Sequence, residues 1–226
     1  MRVVCVSDTH LCHDEVIVPE GDLLIHAGDL TGRGTEREIA AGMAWLDRQA
    51  HARVVFVPGN HDFGFERRPE LARELALAYP HVEVAIDRAI DVGGVRLYGS
   101  PFQPWFHDWA FNFPPGAEGA RVAEATWRQI PLETAILVTH GPVHGILDLT
   151  ARGEHAGCAA LRDRIAGLRA LRLHVAGHIH EAYGTERHGD VLYVNAAICD
   201  LSYHATHAPV VVDLDGAGGD LVARIG

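Results

Sequence analysis

Three features of the sequence predict an α/β fold. Short runs rich in Val, Ile and Leu have the length of buried strands: Val3–Val6, Leu23–Ile25, Val54–Val57, Ile136–Val138 and Leu173–Ala176. Helical patterns lie between several of these runs, and strands that alternate with helices build a sheet with helices packed on it. Each of the five runs also ends in a polar cluster, as expected where ligands bind beyond the carboxyl ends of strands. At 226 residues the chain can bury one substantial core and is short for two, so residues 1–226 are expected to form one domain.

Arg2–Val6 opens the chain as a strand, and Leu23–Ile25 is the second. Thr35–His51 is a helix, with Thr35 as N-cap and Glu38 three residues later in capping-box spacing. Val54–Val57 returns to strand, and Pro69–Ala78 is the next helical stretch. Ser100–Pro115 carries Phe102, Trp105, Phe106, Trp109, Phe111 and Phe113 among four prolines. So much apolar surface would not stay in water, so this segment is expected to be an ordered loop. Helices Glu118–Gln129 and Gly157–Leu168 flank the strand Ile136–Val138, and Leu173–Ala176 follows. Val191–Val194, Val210–Leu214 and Leu221–Ile225 close the chain as strands.

Composition narrows the function. Apolar residues make up 48% of the chain, which excludes a disordered chain. No apolar run approaches the roughly 20 residues of a membrane span. With a strand expected over Arg2–Val6 and a candidate site residue at Asp8, no cleavable leader is expected, and Cys5, Cys12, Cys158 and Cys199 show no CxxC spacing. A reducing, cytoplasmic location is therefore expected. The formal charge of −11 repels long nucleic acid but leaves room for a small anion drawn to a local positive centre. Nothing in the sequence fixes the oligomeric state.

The polar clusters carry the chemistry. The five runs lead to Ser7-Asp8-Thr9-His10, His26-Ala27-Gly28-Asp29, Pro58-Gly59-Asn60-His61-Asp62, Thr139-His140-Gly141 and Gly177-His178-Ile179-His180. Any one of them alone reads as a polar turn. Together they deliver carboxylate, imidazole and amide oxygen to one rim, a donor set suited to Mn, Fe, Co or Zn. Asp8/His10 and His178/His180 are each two residues apart, and in extended chain such pairs project to the same side.

The ordered set D-x-H, G-D, G-N-H-D, H and G-H-x-H resembles the calcineurin-like metallophosphoesterase superfamily, over a span from Asp8 to His180. His26–Thr31, Gly99–Pro101 with the aromatic run to Phe113, Thr139–Pro142 and Gly177–Gly184 are most similar to its metallophosphoesterase-domain branch, which includes phosphodiesterases acting on cyclic nucleotides. The resemblance implies two facing mixed β-sheets flanked by helices. It implies that Asp8, His10 and His180 hold one metal ion, that Asn60, His140 and His178 hold another, and that Asp29 bridges both. His61 would stand over the substrate phosphate as a catalytic group, oriented by Asp62. Some members of the branch lack the first histidine of G-H-x-H; this chain keeps His178, so a complete two-metal site is expected.

A two-metal site lowers the pKa of a bridging water and clamps phosphate oxygens for in-line displacement, and His61 is suited to protonate the leaving oxygen. The leading expectation is therefore a phosphodiesterase for small phosphate esters such as cyclic nucleotides. A phosphomonoesterase or nuclease of the same superfamily is the enzymatic alternative, and a catalytically weak metal-binding scaffold is the alternative of another class. Arg33 resembles the phosphate-binding arginine that follows G-D in protein phosphatases, or is a solvated loop arginine. His144 is either a substrate contact or a surface histidine. Asn195 resembles an asparagine near the site in relatives, or serves structure only. His26 is a candidate for orienting a ligand. The aromatic loop either stacks a nucleobase or packs as a satellite core, and packing with one ring reaching substrate is the expectation.

Overall fold

The computed structural model of the chain describes residues 1–216 and 221–226. In chain order its elements are β1 (Arg2–Val6), β2 (Leu23–His26), α1 (Glu36–Asp47), β3 (Arg53–Phe56), α2 (Phe63–Arg67), α3 (Pro69–Ala78), β4 (Val82–Val84), β5 (Arg88–Val92), β6 (Val95–Ser100), α4 (Gly116–Trp127), β7 (Ile136–Thr139), α5 (Ala159–Ile165), β8 (Leu173–Ala176), β9 (Gly184–His188), β10 (Val191–Asn195), β11 (Val210–Asp215) and β12 (Val222–Ile225). The described residues form two mixed six-stranded sheets, ordered β12-β11-β1-β2-β3-β4 and β5-β6-β7-β8-β10-β9. This is the expected sandwich of two mixed sheets flanked by helices.

The sandwich follows from side-chain alternation. Val3 and Cys5 on β1, with Leu23 and Ile25 on β2, face inward and meet Leu97, Val138 and Val175 of the other sheet in one core. Val4, Val6 and Leu24 face outward and pack under Ile39, Met43 and Leu46 of α1. On the far side Leu137 and Tyr193 pack under Trp127 of α4 and Leu161 and Ile165 of α5. Central strands covered on both faces need apolar residues at every position, which is why the sequence shows unbroken runs.

β1, β2, β3 and β4 run parallel in one sheet, and β6, β7, β8 and β10 in the other. Their carboxyl ends collect at one rim. Helix α1 starts as expected, with Thr35 Oγ1 accepting from Glu38 N and the Glu38 carboxylate accepting from Thr35 N. It stops at Asp47 instead of reaching His51, because the chain must turn back to enter β3. α4 is shifted to Gly116–Trp127, and α5 is shorter than the expected 157–168 span.

Four strands are additional to the sequence expectations: β4, β5, β6 and β9. β5 and β6 form a hairpin around Gly93-Gly94, both at positive φ (61° and 85°), as a type I′ turn demands. β9 is an edge strand with exposed side chains, so no apolar alternation marks it.

Candidate metal centre

Each functional side chain sits on a loop that leaves the carboxyl end of a parallel strand. Asp8 and His10 follow β1, Asp29 follows β2, Asn60 and His61 follow β3, His140 follows β7, and His178 and His180 follow β8. The backbone ties these loops together. Asp8 N donates to Gly28 O (2.8 Å), His10 N to Asp29 O (3.0 Å), and Gly177 N to His140 O (3.0 Å). Links also join the two sheets: Ser7 N donates to Ala196 O (2.9 Å), and His178 N donates to the Asp8 carboxylate (2.9 Å).

The side chains then converge. Asp8, His10 and His180 bring ligand atoms within 4.8 Å of one another, as do Asp8, Asp29 and His140, and also His10, Asp29 and His61. His10 Nε2 lies 3.2 Å from His180 Nε2, which itself lies 3.3 Å from Asp8 Oδ1. His140 Nε2 lies 2.9 Å from Asn60 Oδ1 and 3.4 Å from Asp29 Oδ1. The His178 ring stands 5.0 Å from that of His140. The seven residues named from the sequence are thus brought to one rim.

Backbone carbonyls aim three of the imidazoles. His140 Nδ1 donates to Ala27 O and His180 Nδ1 to Asp200 O, both at 2.9 Å, so each Nε2 points at the carboxylates. His61 Nδ1 donates to Gly32 O (2.9 Å), and its Nε2 lies 3.9 Å from Asp29 Oδ2.

Opposite charges meet inside the cluster. Asp8 and Asp29 are buried; Asp8 accepts from His178 N and Asp29 from His61 N (2.7 Å), and the charged partners of both among the described residues are imidazoles. Burial by itself would raise both carboxyls, but His180 beside Asp8 and His140 beside Asp29 hold them below the usual range. In return, burial would lower His140 and His180, yet Asp29 and Asp8 push them up to about 9. His10 and His178, where burial dominates, fall to about 4 and about 3. Buried anions require compensating positive charge. Two carboxylates among nitrogen and amide donors fit divalent or trivalent ions, and the clustered residues are consistent with a binuclear site.

Two local expectations are corrected. Asp8, His10 and His178 have φ of 52°, 40° and 68°, so the paired residues are not in extended chain. Tight left-handed turns, fixed by the loop-to-loop hydrogen bonds, bring them together instead. Asp62 also does not touch the His61 ring. Its buried carboxylate accepts from Gly59 N (2.8 Å), Thr31 N (3.0 Å), Leu30 N (3.3 Å) and Thr31 Oγ1 (2.8 Å), and so fastens the loop after β2 to the loop after β3. The imidazole is oriented by Gly32 O on that fastened loop.

Other candidates separate clearly. His26 Nε2 donates to Thr9 Oγ1 (3.0 Å), holding the residue between Asp8 and His10. Asn195 Nδ2 donates to Ile179 O (2.8 Å) inside the G-H-x-H turn. Arg33 is exposed, and its backbone N–H donates to Glu38. His144 faces Asp148, which His155 also binds at 2.6 Å, and stands outside the converging trios. In the aromatic loop Phe111 and Phe113 are buried and Phe102 packs on both, which is the satellite-core reading. Trp109 reaches the site, stacked on His61 at 4.0 Å, and half-exposed Phe106 meets His178 edge-on at 5.8 Å. Tyr203, which no sequence motif marked, stands edge-on to His10 at 4.7 Å.

The family profile described as Calcineurin-like phosphoesterase matches residues 1–182. The chain belongs to the calcineurin-like phosphoesterase family. Metallophosphoesterase domain-containing protein 1 of Homo sapiens is 36% identical to this calcineurin-like chain, over 94% of the chain and 71% of the human protein. UPF0046 protein C25E10.12 of Caenorhabditis elegans is 31% identical over 95% of the chain and 81% of its own length. Among solved structures, TT1561 of Thermus thermophilus superimposes with a TM-score of 0.60 at 16% identity, covering 86% of this chain and 88% of that one. A dimetal phosphatase from Danio rerio superimposes with a TM-score of 0.56 at 13% identity, covering 94% and 92%. These two share the calcineurin-like fold. No helix among the described residues is long and apolar enough to cross a membrane.

Proposed function

We propose that the protein is a two-metal-dependent phosphodiesterase that hydrolyses small phosphodiesters, cyclic nucleotides among them. The observation that carries this reading is the pair of buried carboxylates, Asp8 and Asp29, surrounded by imidazoles delivered from both sheets. Asp8, His10 and His180 would hold one ion and Asn60, His140 and His178 the other, with Asp29 shared. The ions are Mn, Fe, Co or Zn, and the compartment is the cytoplasm. When bound, they supply positive charge against the phosphate oxygens and a nucleophile at neutral pH.

The protein's own groups do the rest. His61 Nδ1–H is occupied by Gly32 O, which turns Nε2 toward Asp29 and the cluster, where it would meet the leaving oxygen. Trp109, stacked on His61, restricts its rotation and keeps water from that face. Asp62 and Thr31 hold the loop that carries Gly32 O. Aromatic rings at the rim favour an ester with an organic group, and the net charge of −11 disfavours long nucleic acid.

The test is a metal-reconstituted screen against cyclic nucleotides, bis(4-nitrophenyl) phosphate and monoesters. Metal-dependent turnover of the diesters is expected, with Asp29→Asn reducing it by about 100-fold or more, on the scale of lost transition-state charge stabilisation. Turnover of monoesters alone would favour a phosphomonoesterase. Equal activity of wild type and Asp29→Asn would overturn the shared-ligand role.

A further inference from the structure

Tyr203 has no part in the proposed chemistry, yet its geometry is that of a built feature. Its ring lies 4.7 Å from His10 at 89°, 5.7 Å from His180 at 87° and 6.1 Å from His61 at 62°. It therefore stands upright over the end of the cluster formed by Asp8, His10 and His180. The residue is 49% exposed, so it is not a core residue that happens to lie nearby.

The backbone beneath it is unusual. Tyr203 has φ of 61°, a conformation that bulky side chains rarely adopt and that persists where surrounding contacts enforce it. Asp200 does the enforcing. Tyr203 N donates to Asp200 O (3.0 Å), and Ser202 N and His204 N donate to Asp200 Oδ1 (2.8 and 3.1 Å). The same Asp200 O accepts His180 Nδ1–H, so one residue aims His180 at the cluster and raises Tyr203 beside it. On the other side of the site Trp109 already covers one face of His61. An organic group extending from a phosphate held at the cluster therefore meets the Tyr203 ring on the open side.

We propose that Tyr203 is a substrate-contacting residue, the wall against which a planar aryl or nucleobase group of the ester packs, so that the site favours aromatic over alkyl esters. This rests on the phosphoesterase reading of the cluster. Ring-on-base packing of this kind is worth about tenfold or more in affinity.

The experiment measures calorimetric binding of phenylphosphonate and methylphosphonate, neither of which can be hydrolysed, to metal-loaded wild type, Tyr203→Phe and Tyr203→Ala. Metal content is determined alongside. Tyr203→Ala should weaken phenylphosphonate about tenfold and leave methylphosphonate and metal content unchanged, while Tyr203→Phe, which keeps the ring, should bind as wild type does. In turnover of bis(4-nitrophenyl) phosphate the alanine variant should raise KM more than it lowers kcat. Equal loss for both phosphonates would make Tyr203 a support for His10 and His180 and overturn the proposal, and so would no loss for either. If wild type binds the phosphonates but hydrolyses no ester, the phosphodiesterase reading falls while the binding comparison still decides Tyr203. If wild type binds neither phosphonate, both fall.

Discussion

Replacing Asp62 by alanine sets two opposed effects of similar size against each other. The carboxylate is fully buried and accepts from three backbone N–H groups, those of Leu30, Thr31 and Gly59. The Thr31 hydroxyl keeps a second acceptor in His61 O, so three donors are left unpaired. At about 1–3 kcal/mol for each orphaned group, with water entering the vacated space, the loss is about 3–5 kcal/mol. Against this, burial and the nearby charge of Asp29 push the Asp62 carboxyl up to about 6. Relative to an ordinary aspartate near 3.9, that is about 2 pKa units, or roughly 3 kcal/mol of disfavoured charge at pH 8 that the alanine removes. The net destabilisation of the metal-free protein at pH 8 is then about 0–2 kcal/mol.

At pH 5 the balance shifts. The folded-state pKa exceeds the unfolded one, so the native state takes up a proton first as pH falls, and wild type gains roughly 1–2 kcal/mol that the variant cannot. Urea unfolding of both metal-free proteins at pH 8 and pH 5 should therefore show a gap that widens on acidification. A gap that narrows at pH 5, or one above about 4 kcal/mol at pH 8, would refute the reasoning. The first outcome would mean that Asp62 is stabilised as an anion, the second that its charge costs nothing.

Three further outcomes are expected. Thr35→Ala removes the capping box of α1 and should cost about 1 kcal/mol, seen as a drop in Tm of roughly 2–4 °C with turnover unchanged. Burial by itself would raise Asp148, but the His155 imidazole and the N–H groups of Gly145 and Gly157 hold it below the ordinary range. Its contribution is therefore present above the unfolded carboxylate value and lost as pH falls through the lower folded value. Asp148→Asn should be less stable than wild type by about 2 kcal/mol at pH 6, with the gap closing in denaturant melts as pH falls below the ordinary carboxylate range. Chelation should abolish turnover and lower stability, and restoring a divalent ion to 100 times its Kd should return about 2.7 kcal/mol in a thermal melt. No change in Tm on adding metal would contradict a site preformed in the folded chain.

The parallel strands at the centre of each sheet were legible because burial on both faces demands apolar residues at every position, as in Val3–Val6. The edge strands were not. β9, Gly184–His188, lies exposed along β10 and is defined by ladder hydrogen bonds, not by its residues. The β5–β6 hairpin did carry a signal, Gly93-Gly94 between two strand-length runs. For the site, residue types and order placed every predicted cluster at the correct strand end. The local geometry was hidden, because left-handed turns at Asp8, His10, Asp29 and His178 are set by partners on other loops. The same holds for Asp62, whose fastening of two loops depends on Thr31 and Gly59 arriving from different strands. Tyr203 escaped notice because its turn is built by Asp200, and neither residue belongs to a recurring motif.

The parallel strands also divide the molecule into two ends of unequal burden. The loops bearing Asp8, Asp29, Asn60, His140 and His178 all leave one rim, while the Gly93-Gly94 hairpin lies at the other, before β6 begins. A Cβ added at either glycine would meet nothing within 4 Å. That quiet end is where the chain has room to accept inserted sequence, a reporter or a tether, without disturbing the reacting centre. Lineages that gain new modules on this scaffold would be expected to gain them there, while variation at the opposite rim would alter chemistry.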